Sequence, residues 1–159
     1  MEIIKYSVAC AIFAFSLFLC KKYTAFVDSS MDRIEVFVSF LRHIERKISG
    51  YLTPPTALGE GFSNPLLKEM VDSISSGASF IDAYRRYGGD VPLAADEILV
   101  DFFADFGKGD ALFEVRRASE ASLRLEAVLK KEIELGEKQK KICSAVAPAL
   151  AIGVVIWMI

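Results

Sequence analysis

Residues 142–159 read ICSAVAPALAIGVVIWMI, a run of 18 residues without a single charge. A helix needs about 20 apolar residues to cross the hydrocarbon core of a bilayer. A second uncharged run, YSVACAIFAFSLFLC at residues 6–20, becomes long enough when it is extended back to Ile3, because Lys5 can stretch its amine toward the headgroups. The two runs predict transmembrane helices at residues 1–22 and 142–159.

Charge is concentrated between these two runs. The chain has 159 residues, of which 53% are hydrophobic and 25% are charged, and its mean hydropathy is +0.35. All charged residues except Glu2 and Lys5 lie within residues 21–141. This distribution excludes a simple soluble enzyme, a disordered chain and a polytopic transporter. A net charge of -2 also argues against a nucleic-acid partner, which would require a basic surface.

Positive residues border both runs on the same side. Lys21 and Lys22 follow the first run, in the place where a cleaved signal peptide would need small residues. Five lysines precede the second run: Lys130, Lys131, Lys138, Lys140 and Lys141. Because Lys and Arg are retained on the cytoplasmic side during insertion, residues 23–141 are expected in the cytoplasm and both termini outside. Tyr6 and Trp157 would then lie together at the outer interface of a bacterial cell membrane.

The middle of the chain has helical periodicity and no alternating strand pattern. Apolar residues recur every three or four positions in residues 31–48, and capping and breaking residues predict further helices over 64–77, 79–88, 93–106 and from 110 onward. The positions expected to be buried are Ile34, Phe37, Val38, Leu41, Ile44, Ile48, Leu66, Leu67, Met70, Val71, Ile74, Phe80, Ala83, Tyr84, Ile98, Leu99, Phe102, Phe103 and Phe106. The fold class is therefore all-α: a cytoplasmic helical bundle at 23–141 flanked by transmembrane helices.

Two points of this architecture stay open at the level of sequence. The first span can continue without a break into the helix at 31–48, or Asp28, Ser29 and Ser30 can cap a new helix. A heptad-like seam of Ala111, Val115, Ala118, Ser122, Leu125 and Leu129 can pack within the bundle or between copies in a homo-oligomer.

No residue pattern in the sequence indicates catalytic or ligand chemistry. His43 is the single histidine and has no cysteine at metal-ligand spacing, and Cys10, Cys20 and Cys143 belong to the apolar runs. The sequence GKGD at 107–110 lacks the spacing and the Ser or Thr of a phosphate-binding loop, so a helix-breaking turn is expected. We predict no catalytic residue, cofactor or metal.

A charged strip is the candidate partner-binding site. It consists of Asp101, Asp105, Arg116 and Arg117, which flank the turn at 107–109 on both sides. Acidic residues of the helix at 93–106 alternate with its aromatic positions, which is typical of a solvated face, and the arginines offer complementary charge. No internal need for these charges is evident from the sequence, so we assign them to binding a partner.

The order of short motifs resembles a known family. Lys-Lys at 21–22, GYLTPP at 50–55, GAS at 77–79 and FGKG at 106–109 stand between the two apolar runs in the order seen in stage III sporulation protein AB. That family is similar to the cytoplasmic domain of the inner-membrane platform protein of type II secretion and type IV pilus systems, and SGASFIDA at 76–83 looks like the turn and short helix of its helical unit.

The resemblance implies a non-enzymatic membrane platform in the channel between mother cell and forespore. Its partners would be a cytoplasmic ATPase resembling stage III sporulation protein AA and other membrane proteins of the channel, with the middle domain on the mother-cell side. A different class of function is an integral-membrane regulator or adaptor whose bundle binds a soluble protein. A third hypothesis is a membrane enzyme that uses the carboxylates of Asp101 and Asp105.

Overall fold

The computed structural model describes residues 2–50 and 57–158, and among their side chains those of residues 7, 10, 11, 13–50, 57–146, 149 and 153. The side chains of Tyr6 and Trp157, predicted at an outer membrane interface, lie outside this set. The GYLTPP motif lies outside it too, apart from its first residue, Gly50.

Five helices make up the described chain. They are α1 (Glu2–Gly50), α2 (Lys68–Ser75), α3 (Phe80–Tyr87), α4 (Leu93–Asp105) and α5 (Ala111–Met158). No strand occurs within 2–50 and 57–158, and the predicted all-α class is confirmed for these residues. Of the two alternatives for the first helix, the unbroken one is correct, because α1 passes through Asp28, Ser29 and Ser30 without ending.

Over the part of the chain that the structure describes, no helix combines the length and the apolar character needed to traverse a bilayer.

The chain divides into two compact units. The first consists of Met1–Ser29 with Glu132–Ile159, and the second of Ser30–Lys131. In the first unit, the hydroxyl of Tyr23 donates to Gln139 Oε1 at 2.7 Å and Lys140 Nζ lies 2.6 Å from Asp28 Oδ1. Cys20 Sγ also lies 4.0 Å from the carbonyl oxygen of Cys143, so a later residue of α1 meets an earlier residue of α5. The segments of α1 and α5 in this unit therefore lie side by side and run in opposite directions.

The second unit is built around an aromatic cluster. The ring of Phe37 on α1 lies 5.5 Å from that of Tyr84 on α3 and 6.5 Å from that of Phe103 on α4, centroid to centroid. The hydroxyl of Tyr84 donates to Asp96 Oδ1 at 2.5 Å, and burial raises the pKa of this tyrosine. Helices α1, α3 and α4 thus share one core, in which the single polar atom of Tyr84 is satisfied.

The predicted buried face of α1 is confirmed except at Ile48, which is only partly buried, and it proves wider than the stripe. Ile34, Phe37, Val38, Leu41 and Ile44 are all buried. Phe40, which the periodicity left out, is buried as well, since Phe62 from the turn after residue 57 packs against it at 5.1 Å. A chain segment without regular structure therefore covers a side of α1 that looks solvent-facing in the sequence.

The helix predicted from Asn64 begins later than expected. Asn64 Oδ1 accepts from the N–H of Leu66 at 2.9 Å, which makes a polar turn before α2 begins at Lys68. Leu66, predicted to be buried, is 41% exposed because it belongs to this turn and not to the helix. Leu67, Met70, Val71 and Ile74 are buried as predicted.

A glycine signal ends α2 as the sequence predicts. Gly77 adopts a φ of 100°, and its N–H donates to the carbonyl oxygen of Ile74 at 2.9 Å while that of Ala78 donates to Ser73 at 3.1 Å. This is a Schellman motif. Ser79 then caps α3 by accepting from the N–H of Asp82 at 3.2 Å. The GAS motif therefore ends α2 at Gly77 and caps the start of α3 at Ser79.

Gly88 and Gly89 end α3, and a side chain of α1 contacts both glycines. Arg33 Nη1 donates to the carbonyl oxygen of Gly88 at 3.3 Å. Gly89 has a φ of 73°, and a Cβ atom there would lie only 1.9 Å from the same Arg33 nitrogen. Glycine is needed at 89 for its backbone conformation, and a larger residue there would also displace the Arg33 guanidinium.

The seam of α5 packs within the bundle of its own chain, but it is shifted at its start. Ala118, Ser122 and Leu125 are buried. Ala111, the predicted first member, is exposed, and the buried position of that turn belongs to Glu114. The periodicity misses Glu114 because a carboxylate is not expected at a core position.

Candidate functional site

The turn between α4 and α5 is fixed by a buried carboxylate. Glu114 is only 4% exposed, and its Oε1 accepts from the N–H of Gly107 at 3.1 Å and from that of Gly109 at 2.9 Å. Gly107 has a φ of 86°, which turns the chain sharply after Phe106. The turn predicted at 107–109 is confirmed, and Glu114 holds it in a defined shape.

Two further details show how the turn is built. Asp110 caps α5, since its Oδ1 accepts from the N–H of Phe113 at 2.7 Å. The second carboxylate oxygen of Glu114 is buried and has no hydrogen-bond partner among the described residues. An unsatisfied buried oxygen costs stability, so the two bonds made by Oε1 must outweigh this cost for the carboxylate to stay inside.

The charged strip surrounds this turn. Asp105 lies at the end of α4, and its Oδ1 is 2.7 Å from Lys108 Nζ. The hydrogen bond from Lys108, together with its charge, holds the pKa of the Asp105 carboxyl below its ordinary value. Asp105 is therefore ionised at neutral pH, which favours a binding role over that of a general acid.

Arg117 is the most constrained member of the strip. Its guanidinium lies 5.9 Å from the ring centre of Phe102 and 5.7 Å from that of Phe113, and its Nη2 donates to the carbonyl oxygen of Asp101 at 3.1 Å. Stacking on two rings and one backbone bond set its position before any partner arrives. The hydrogen bond to Asp101 uses one of the five N–H groups of the guanidinium, so other N–H groups remain to donate to an acidic group.

A small polar cleft lies beside Arg117, between α4 and α5. Its volume is about 100 Å³, and the residues that line it are Ile98, Asp101, Phe102, Arg117, Glu120, Ala121 and Arg124. The structure thus brings Asp101 and Arg117 of the strip together. Arg116, the fourth member, is exposed on α5 and does not line the cleft.

Sequence reasoning missed Glu120 of this cleft, and it counted Arg124 among the complementary arginines without including it in the strip. Glu120 and Arg124 lie one and two turns beyond Arg116 and Arg117, so the charged face of α5 continues farther than the four strip residues suggested. The signal was present: charges at 116, 117, 120 and 124 recur with helical spacing opposite the buried seam. Among the described residues, no three His, Cys, Asp or Glu side chains are grouped so that they could hold a metal.

Comparisons with family models, with curated proteins and with solved structures find no match for this chain.

Proposed function

We propose that this protein is a non-enzymatic membrane platform of the sporulation channel. In this proposal the apolar runs at 1–22 and 142–159 span the membrane, and the bundle between them lies in the cytoplasm on the mother-cell side. The observation that carries the proposal is the distribution of charge. All charged residues except Glu2 and Lys5 lie within residues 21–141, and lysines border both runs on the side of that segment.

The antiparallel pairing in the first unit supports a two-span arrangement. Tyr23 with Gln139 and Asp28 with Lys140 join α1 and α5 next to the apolar runs. Two spans that enter the membrane as neighbours give the cytoplasmic bundle two fixed points. A force applied to the bundle would then pass to both spans.

The partner in this proposal is a cytoplasmic ATPase, which supplies the energy that the platform lacks. We assign its contact to the charged strip around the turn at 107–109. Glu114 fixes that turn, and the rings of Phe102 and Phe113 fix Arg117, so little ordering is needed when a partner binds. A regulator or adaptor function would use the same strip for a different soluble partner.

The test is an affinity purification of the full chain in detergent from sporulating cells, with the bound proteins identified by mass spectrometry. The platform proposal predicts recovery of an ATPase together with other sporulation membrane proteins. Recovery of neither, with a soluble regulatory protein in their place, would favour the adaptor function and contradict the platform.

Charge reversals locate the contact. Arg116→Glu is the first variant, because Arg116 is exposed on α5. Arg117→Glu is the second, and both should lose the ATPase while Arg85→Glu, a matched change on the exposed face of α3, should keep it. Equal recovery with all three variants would show that the strip is not the contact.

A further inference from the structure

The outer face of α5 carries more exposed apolar surface than a solvated helix needs. Leu112 is 82% exposed and Leu123 is 61% exposed, and their separation of 11 residues, about three turns, places both on the same side of the helix. The opposite face, with Ala118 and Leu125, already fills the core. Single exposed apolar residues are ordinary, but several on one helix face mark a contact surface.

The charges beside Leu123 are of both signs and are unpaired. Glu120 and Arg124 are exposed, and neither forms an ion pair with any residue that the structure describes. We define the Leu123 face as Glu120, Leu123, Arg124 and Ala127. It has an apolar centre, one anion and one cation, separated by a single helical turn.

We infer that the Leu123 face binds the same face of a second copy of this chain, with the two α5 helices antiparallel. In a two-fold symmetric contact every residue pair occurs twice. When the axis passes at the level of residue 122, Glu120 of each copy lies opposite Arg124 of the other, and the two Leu123 side chains meet near the axis. Arg116 then lies opposite Val128, so this arrangement places no cation against a cation there.

The charges select a second copy over an acidic surface. An anionic membrane would be attracted by Arg116 and Arg124 but repelled by Glu120 and Asp101, which lie among them. A partner that carries one anion and one cation at the same spacing matches the face, and the face itself has that pattern. The inference does not depend on the proposed function, since it needs neither an ATPase nor a channel.

The contact is small, and this sets its strength. The stretch from Leu112 to Lys131 is about 30 Å long, and a single helix face of this length buries less than the roughly 800 Å² per partner of a standard interface. The dimer is therefore expected to be weak, with dissociation in the micromolar range, and to depend on local concentration.

The experiment measures the mass of the full chain in detergent by light scattering and by sedimentation over a range of protein concentrations. The wild-type chain should pass from monomer to dimer as its concentration rises. Arg124→Glu alone and Glu120→Arg alone place like charges opposite each other twice, and each should weaken dimerisation by at least about tenfold. Arg85→Glu is the matched charge reversal away from the face and should leave it unchanged.

Mixing the two single variants is the decisive step. In the mixed pair, Glu120 of one chain faces Arg124 of the other, and the two introduced charges also face each other with opposite sign, so a heterodimer should form. A pairing of these charges within one helix cannot explain rescue by mixing. Helical content by circular dichroism confirms that each variant is folded.

Three results would overturn the inference. The first is a wild-type chain that stays monomeric at the highest concentration, and the second is single variants that dimerise like the wild type. The third is a mixture that stays monomeric. If the wild type is monomeric, and Arg124→Glu and Glu120→Arg each lose a protein that co-purifies with the wild-type chain, the Leu123 face binds that different partner.

Discussion

Removing the Glu114 carboxylate should loosen the turn between α4 and α5. Each hydrogen bond from Gly107 and Gly109 to this charged group contributes about 1.5–3 kcal/mol. Glu114→Ala also removes the buried oxygen that has no partner among the described residues. Removing this oxygen stabilises the folded state by about 1–3 kcal/mol. The net destabilisation therefore lies between about 0 and 5 kcal/mol, with a central value of about 2.5 kcal/mol. Glu114→Gln keeps an acceptor without the charge and should lose less, about 1 kcal/mol.

Denaturant unfolding of the full chain measures these free energies, with Glu97→Ala as control because Glu97 is exposed on α4. Amide hydrogen exchange adds a local readout, since protection at Gly107 and Gly109 should fall by a larger factor than elsewhere in α4 and α5. If Glu114→Ala unfolds within about 0.5 kcal/mol of the control and exchange at both glycines is unchanged, the carboxylate does not hold the turn.

Three further changes test the packing of the second unit by the same unfolding measurement. Gly89→Ala should cost about 2–3 kcal/mol through its positive φ and the displaced Arg33 guanidinium, whereas Gly50→Ala, with open space around it, should be neutral. Phe37→Ala should cost about 3–5 kcal/mol because this fully buried ring lies at the centre of the aromatic cluster; a loss below about 1 kcal/mol would contradict that position. Burial lowers the pKa of His43 below its ordinary value of 6.5. The contribution of the neutral imidazole to the free energy of unfolding should therefore be fully present above pH 6.5 and be lost as the pH falls below it. His43→Gln should reduce this loss. A wild-type chain whose stability follows that of His43→Gln between about pH 7.5 and 5.5 would contradict the lowered pKa of His43.

Most of the fold of the second unit follows from local signals in the sequence. The apolar period places the buried face of α1 and α4, and Gly77 with Ser79 sets the end of α2 and the start of α3. These signals act within a few residues of the structure that they specify, so they can be identified without the rest of the chain.

What the sequence misses depends on residues far apart in the chain. Phe40 is buried because Phe62 returns to cover it, and the space beside Gly89 is filled because Arg33 reaches it from α1. Leu66 is a local exception, since it is exposed because the Asn64 side chain makes a turn where a helix start was expected. In each case a contact made by folding overrides the local pattern.

The candidate site shows the same division. The turn at 107–109 and the exposed charges around it could be predicted from glycines and periodicity. The role of Glu114 could not, because a carboxylate at a core position is explained only by the two N–H groups that fold back onto it. The cleft that joins Asp101 and Arg117 to Glu120 and Arg124 likewise requires α4 and α5 to be packed together.

The central claim is that two apolar runs hold the bundle on the cytoplasmic side of a membrane. The most direct measurement labels a single cysteine with a membrane-impermeant maleimide in intact and in permeabilised cells. Cys10, Cys20 and Cys143 are first replaced by alanine, and Lys68, which is exposed at the start of α2, is changed to cysteine. The account predicts a chain that stays with the membrane after alkaline extraction and is labelled only after permeabilisation. A chain released by alkaline extraction, or one labelled in intact cells, would contradict it.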